Sequence, residues 1–138
     1  MSPLARATAA AAGAILATGL TASTASSAAD TTPPTAPPRV SASPYQCLSV
    51  VVSAFRSTDN VTPQSQLRYE AFADGVFIGN LLDAGHPAGA FGFLHLLHGG
   101  QSTVTARAVD AAGNRSAMSP GVTVTAFFTP GCAPGRLP

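Results

Sequence analysis

The chain has 138 residues, which is enough for one domain, and lysine is absent from it. Charged residues make up only 9% of the sequence and the formal net charge is +1. The sequence therefore lacks the basic stripe of a nucleic-acid binder and the basic amphipathic helix of a membrane-surface protein. We expect neither nucleic acid nor a membrane surface as its partner.

Residues 1–29 have the pattern of an export signal. Arg6 supplies a short positive region, Thr8 to Leu20 is apolar and rich in alanine, and residues 26–29 are small enough for cleavage. The apolar run is shorter than the roughly 20 residues that a membrane-spanning helix needs, so removal is favoured over a retained anchor. The mature chain is then expected to be secreted and extracellular, with no membrane span.

Export affects the interpretation of the two cysteines. In an oxidising compartment an even count in a small domain predicts a disulfide, and Cys47 with Cys132 is the one pair available. The closed loop spans 132 − 47 = 85 residues. On the chain-entropy model, such a loop stabilises the fold by about 4–5 kcal/mol. Two distant cysteines are too few soft ligands for a metal site.

Residues 30–38 form a proline-rich segment, DTTPPTAPP. Proline has no backbone N–H for a sheet ladder, so this segment is predicted to be an extended lead-in. It would serve as the domain's own N-terminal strap rather than as a spacer from a partner. A short edge strand follows at 39–43 and ends at Pro44.

Alternating apolar and polar residues predict further strands beyond this edge. Residues 47–55 place Leu48, Val50, Val52 and Ala54 on one apolar face, and 57–63 is turn chemistry. Residues 67–73 and 76–80 flank Asp74-Gly75, a two-residue hairpin signal. A Gly/Pro loop is predicted at 83–92. Alternation would place Phe91 and Phe93 on one face but Leu94 and Leu96 on the other, so the strand there is predicted to contain a bulge or to end near Phe93.

The last hairpin is read from TVTARAVDAAGNRS, residues 103–116. The alternation stops at Asp110, Gly113-Asn114 supplies a tight reversal, and Val122 to Phe127 resumes the strand. The sequence thus predicts about seven short strands and no helical period after the export signal. That pattern is typical of an all-β protein, a seven-stranded antiparallel β-sandwich.

Three segments resemble one known family. DTTPPTAP, STDNV with LRYEAFADGVFIG, and TARAVDAAGNRS with VTVT are similar to secreted bacterial fibronectin type III domains, and together they cover most of residues 30–126. A bacterial immunoglobulin-like module is the near alternative, and it is also a sandwich. The resemblance implies a fibronectin type III-like domain at 39–128, and an irregular tail at 129–138 tethered by the disulfide.

Two landmarks of that family are missing. The strand B tryptophan falls at Ala54, and the tyrosine expected near the start of strand F falls at Ser102. A tryptophan buries on the order of 200 Å², so other side chains must fill its volume. We expect phenylalanines to do so, the candidates being Phe55, Phe77, Phe91 and Phe93.

The sequence assigns no catalytic, metal or cofactor site. GxSxG and HExxH are absent, and the three histidines, His86, His95 and His98, have no evident partner in the sequence. Strand direction places two loops and the lead-in at one pole, giving a candidate loop site whose oxygen ligands would suit calcium. Its members are Asp59, Asn60, Asp110 and Asn114, with Asp30 nearby. Asx residues in turns usually bond their own backbone, so no metal is assigned there.

A second candidate site is a face of the sheet that pairs strands C and F. Arg68, Glu70, Phe72, Thr105 and Arg107 are expected on its outer surface, with Phe72 exposed as a binding platform. A solvated face in which Arg68 or Arg107 pairs with Glu70 is favoured over that platform, because one aromatic is a thin patch.

The sequence thus predicts a secreted module that acts by binding or spacing, without catalysis and as a monomer. Its partner would be an unknown protein or cell surface. The family resemblance also implies an alternative, a carbohydrate-associated accessory module that aids a separate glycosidase in extracellular polysaccharide degradation.

Overall fold

The computed structural model describes residues 29–83 and 89–127. Residues 1–28 of the predicted export signal (1–29), His86, Phe128, Cys132 and the tail at 129–138 lie outside the described residues. Within that part of the chain there are seven strands and one short 3-10 turn at Gln64–Gln66. The strands are β1 (Val40–Pro44), β2 (Ser49–Ala54), β3 (Arg68–Ala73), β4 (Val76–Leu81), β5 (Ala90–His95), β6 (Gly100–Val109) and β7 (Val122–Ala126).

The strands form two sheets that pack face to face. One has three strands in the order β1-β2-β5, the other four in the order β4-β3-β6-β7, and neighbours within each sheet run antiparallel. The predicted all-β sandwich is confirmed. No helix among the described residues is long and apolar enough to cross a membrane.

The Asp74-Gly75 turn between β3 and β4 is confirmed. Both residues have positive φ, 50° and 82°, as a two-residue hairpin loop with the twist of its strands requires. The turn also contacts β6, the other sheet neighbour of β3, because the Thr103 N–H donates to Asp74 Oδ1 at 2.8 Å. Sequence and tertiary contact therefore specify the same reversal.

The turn between β1 and β2 includes the first cysteine. Cys47 and Leu48 have φ of 52° and 63°, and the Ser49 N–H donates to the Gln46 carbonyl at 2.8 Å. The prediction that the strand starts at Cys47 is wrong by two residues, because the reversal uses both positions as its left-handed pair.

The core consists mainly of small side chains packed with one large one, a tyrosine. Tyr69 is the largest side chain that is fully buried, and its hydroxyl accepts the Ser57 N–H at 2.8 Å. Valines and alanines make up most of the rest of the core cluster, and Ala54 and Ser102, at the positions of the missing landmarks, are both buried. A tyrosine from β3 thus occupies the centre in place of an aromatic from β2.

The phenylalanines predicted to fill the core do not. Phe77 and Phe93 are 50% and 61% exposed, and Phe55 and Phe91 are half-buried outside the core cluster. β5 is regular through His95 and pairs Leu94 with the buried Val50, so Leu94 faces inward and the odd-numbered phenylalanines face outward. The predicted bulge or early end near Phe93 is therefore wrong.

The proline-rich lead-in packs along the sandwich. Pro34 and Pro37 are buried, and the Thr35 N–H donates to the Thr58 carbonyl at 2.8 Å. In return, the Thr58 N–H donates to Thr35 Oγ1 at 2.8 Å. These bonds join the lead-in to the loop that follows β2.

The closing hairpin is confirmed, with a longer connection than the sequence indicates. β6 and β7 pair from Gly100–Ala126 to Val104–Val122, and Gly113 at φ 93° lies in the tight turn after β6. Between them, Ser116 and Ser119 accept the N–H groups of Ala108 and Ala106 through their hydroxyls, at 2.9 and 3.0 Å. Serine side chains thus continue the ladder where the backbone is irregular.

Candidate functional site

Three surfaces carry the polar and aromatic side chains that could bind a ligand. They are the outer face of the four-stranded sheet, the pole where the lead-in meets the loops after β2 and β6, and the outer face of the three-stranded sheet. The first two were predicted from sequence and the third was not.

The outer face of the four-stranded sheet is internally paired. Glu70 and Arg107 lie directly opposite each other on β3 and β6, and Arg107 Nε donates to Glu70 Oε2 at 2.7 Å. Arg115 Nε lies 3.8 Å from the same oxygen. Arg68, the first residue of β3, is exposed. The carboxylate's charge is therefore balanced within the sheet and is not free for a ligand.

The prediction that Phe72 is an exposed platform is wrong. Phe72 is only 8% exposed although it lies on the outer side of the sheet. The register of β3 and β4 shifts after Ala71 and sets Phe77 opposite Phe72, with ring centroids 5.7 Å apart at 67°. The Arg107 guanidinium covers the ring at 4.9 Å from its centroid, and the half-buried Thr105 is its register partner on β6. Phe72 belongs to a small secondary cluster.

At the opposite end of the sandwich from Cys47, three carboxyl groups converge. Asp30, Asp59 and Asp110 each place a carboxylate oxygen so that these atoms lie within 4.8 Å of one another. The loops after β2 and β6 bring them together with the lead-in, as strand direction predicts. Asn114 adjoins the group, whereas Asn60 is exposed at its edge.

Local hydrogen bonds hold two of these aspartates in place. Asp59 Oδ2 accepts the N–H groups of Thr62 at 2.7 Å and Val61 at 3.0 Å, and these bonds lower the pKa of Asp59 below 3.8. Asp110 is completely buried, and its two oxygens accept from the backbone N–H and the side-chain amide of Asn114 at 2.8 and 2.7 Å. The same amide donates to the Asp30 carbonyl at 3.0 Å.

The outer face of the three-stranded sheet carries an exposed aromatic pair that the sequence analysis missed. Tyr45 and Phe93 are 59% and 61% exposed, and their ring centroids lie 5.3 Å apart at 63°. Tyr45 follows the end of β1, and Phe93 is opposite Val51 on β2. The alternation in β5, taken with its pairing to β2, was the signal that could have found this pair.

Two of the histidines have neighbours in the described residues. His95 Nδ1 lies 3.0 Å from Ser49 Oγ on an exposed surface, and His98 Nε2 lies 3.5 Å from Asp74 Oδ2. Nucleophilic catalysis of the serine type needs a third group that orients the imidazole. Among the described residues, the ion pairs of carboxylates join other side chains, not His95.

The disulfide prediction falls partly outside the described residues, because Cys132 does. No cysteine in the described part of the chain is free. The pairing of Cys47 with Cys132 stays a prediction.

Comparisons with known proteins yield structural neighbours only. No family model matches the chain, and no curated protein matches it. The Clostridium perfringens spore cortex lytic enzyme SleM matches with a TM-score of 0.48 and 17% identity over 67% of this chain and 28% of that one. The Clostridium thermocellum CbhA fibronectin(III)-like modules match with a TM-score of 0.44 and 19% identity, over 64% of this chain and 94% of that one.

The fold assignment rests on strand order and register. A three-stranded sheet of the first, second and fifth strands faces a four-stranded sheet of the fourth, third, sixth and seventh. In the fibronectin type III lettering these are A, B and E against C′, C, F and G. The described chain is a β-sandwich of the fibronectin type III-like fold.

Proposed function

We propose that this chain is a secreted, non-catalytic module that binds another protein through the outer face of its three-stranded sheet. The observation that carries the proposal is the exposed pair Tyr45 and Phe93. Burying two such rings supplies much of the apolar area that an interface hot spot uses. Val51 and Ser43, the positions level with Phe93 across the sheet, are uncharged, so the binding would be driven by apolar contact.

The angle between the rings favours a protein over a polysaccharide as the ligand. Rings inclined at 63° form a ridge instead of a flat platform. A ridge suits insertion into a pocket, whereas stacking on a sugar chain needs rings that share a plane. The phenol hydroxyl of Tyr45 adds a polar group that can hydrogen-bond at the rim of such a pocket.

The four-stranded sheet supports this choice by elimination. Its outer face already pairs Glu70 with Arg107 and buries Phe72. A ligand there would have to displace contacts that the sheet makes with itself, at a cost in desolvation and rotamer order.

The carbohydrate-associated role is the second candidate, and one observation favours it. Ser41 and Ser43 on β1 are exposed and Ser53 on β2 is half-buried, in the same sheet as the aromatic pair, and their hydroxyl groups suit a neutral glycan. The proposed function and this alternative make opposite predictions for insoluble glycans.

The test is an affinity capture from culture medium of the source organism, with the secreted chain as bait. Three baits are compared: wild type, the double variant Tyr45→Ala/Phe93→Ala, and Phe77→Ala as a matched exposed aromatic on the other sheet. The captured protein is then purified and titrated against each bait. We expect the dissociation constant of the double variant to be at least about ten-fold larger than that of wild type, since truncating each aromatic side chain costs about 1–2 kcal/mol or more of binding free energy.

Equal capture by all three baits would contradict the proposed binding face. Retention of the wild-type chain on insoluble chitin or cellulose, lost in the double variant, would favour the carbohydrate role instead. Melting temperatures of the three baits are compared first, so that loss of folding is not mistaken for loss of binding.

A further inference from the structure

The carboxyl cluster at the loop pole has two oxygen atoms without a hydrogen-bond partner. Asp30 Oδ2 and Asp59 Oδ1 are both buried at the atomic level and receive no hydrogen bond in the structure. The other oxygen of each residue is occupied, Asp30 Oδ1 by the Thr32 N–H at 3.0 Å and Asp59 Oδ2 by two backbone N–H groups. A buried carboxylate oxygen without a donor loses its hydration and gains nothing in return.

The third carboxyl group, that of Asp110, also has no cationic partner among the described residues. Asp110 is fully buried, and its partners within the described residues belong to the neutral Asn114. The ion pairs among described residues involve Glu70, Asp74 and Asp83, which are other carboxylates. Three like charges at this separation repel one another unless a cation lies between them.

The spacing of the cluster suits a particular cation. Calcium binds oxygen ligands at about 2.3–2.6 Å, so oxygens on opposite sides of the ion are about 4.6–5.2 Å apart. The carboxylate oxygens here lie within 4.8 Å of one another. Magnesium needs about 2.0–2.1 Å and near-ideal octahedral geometry, which three loops of irregular backbone are poorly suited to provide.

We propose that Asp30, Asp59 and Asp110 bind one calcium ion, which fastens the proline-rich lead-in to the loops after β2 and β6. Asn114 acts as a positioning residue, because its amide bonds both the Asp110 carboxylate and the Asp30 carbonyl. Backbone carbonyls and water would complete the shell, since calcium takes six to eight oxygens. This site is independent of the proposed protein-binding face, which lies on another surface.

The test measures the melting temperature of the chelator-treated secreted chain as calcium is added, with magnesium at equal concentration as the comparison. Extracellular calcium modules have dissociation constants of about 10⁻⁴–10⁻³ M, so the titration extends to about 10 mM. A ten-fold excess over the dissociation constant shifts the unfolding equilibrium about 11-fold, which raises the melting temperature of a domain this size by about 5–10 °C. Isothermal titration calorimetry should give one site per chain.

Asp59→Asn and Asp30→Asn should each abolish most of the calcium response. Asp74→Asn is the matched control, because it removes one negative charge at the far pole and should respond as wild type does. Asp110→Asn is avoided, since the buried side chain also holds its own turn. Hydrogen exchange of residues 30–38 gives a second readout and should slow on addition of calcium.

No calcium-dependent change in melting temperature or heat would overturn the proposal. An equal response to magnesium would overturn the assignment to calcium. A response retained in both Asp30→Asn and Asp59→Asn would show that the ion binds elsewhere. None of these outcomes depends on whether the chain binds a protein.

Discussion

Replacing Tyr69 with phenylalanine should destabilise the domain although the ring stays in place. Tyr69 is completely buried and its hydroxyl accepts the Ser57 N–H at 2.8 Å. Removing that oxygen leaves a buried backbone donor without a partner, which costs about 1–3 kcal/mol. At about 4–8 °C per kcal/mol for a domain of this size, the melting temperature should fall by roughly 4–24 °C.

The assay is urea unfolding followed by far-UV circular dichroism, because the chain has no tryptophan to report by fluorescence. Tyr45→Phe is the matched control: this hydroxyl belongs to a side chain that is 59% exposed, and its loss should change stability by less than about 0.5 kcal/mol. If Tyr69→Phe were as stable as Tyr45→Phe, Tyr69 would not organise the core as described.

Three further outcomes are expected. Glu70→Gln should lose about 1 kcal/mol or less relative to wild type, because its pair with Arg107 is partly exposed. This loss of stability should be smaller in about 1 M salt, where the Debye screening length is about 3 Å. A loss that salt leaves unchanged would mean that charge is not its cause. The hydrogen bond from the Thr103 backbone N–H, followed by one from the Ser102 side chain, lowers the pKa of Asp74 below its ordinary value, so the stabilisation is complete above the unfolded-state pKa and is lost as pH falls through the folded value. Wild type should thus lose more stability than Asp74→Asn between about pH 6 and 2.5, measured as urea midpoints, and parallel losses would refute this. The purified chain should be two protons lighter than its thiol form, and Cys47→Ser should unfold about 4–5 kcal/mol more easily if Cys47 is bonded to Cys132; full-thiol mass would contradict the pairing.

The turns and faces of the sandwich were predictable from sequence where local chemistry and tertiary structure agree. Asp74-Gly75 is a strong hairpin signal because both positions tolerate positive φ, and both adopt it. The convergence of Asp59 and Asp110 was predictable for a different reason: consecutive antiparallel strands return their loops to the same pole.

The wrong predictions of side-chain exposure concern positions where a shift of one residue in strand register decides whether a side chain is covered. Phe72 was predicted to be exposed because alternation along β3 places it on the outer face of the sheet, and it does lie on that face. The shift that sets Phe77 over it leaves no trace in the sequence. Phe93 was predicted to fill the core because a missing tryptophan needs replacing, yet Tyr69 and small aliphatic side chains close that space.

The proposal that this module binds through its three-stranded sheet is tested most directly by hydroxyl-radical footprinting of the purified chain, alone and with the captured protein. The account predicts that oxidation of Tyr45 and Phe93 falls in the complex while oxidation of Phe77 is unchanged. All three side chains are 50–61% exposed in the free chain, so each reports on its own face. Protection of Phe77 with continued oxidation of Tyr45 and Phe93 would contradict it and place the partner on the four-stranded sheet.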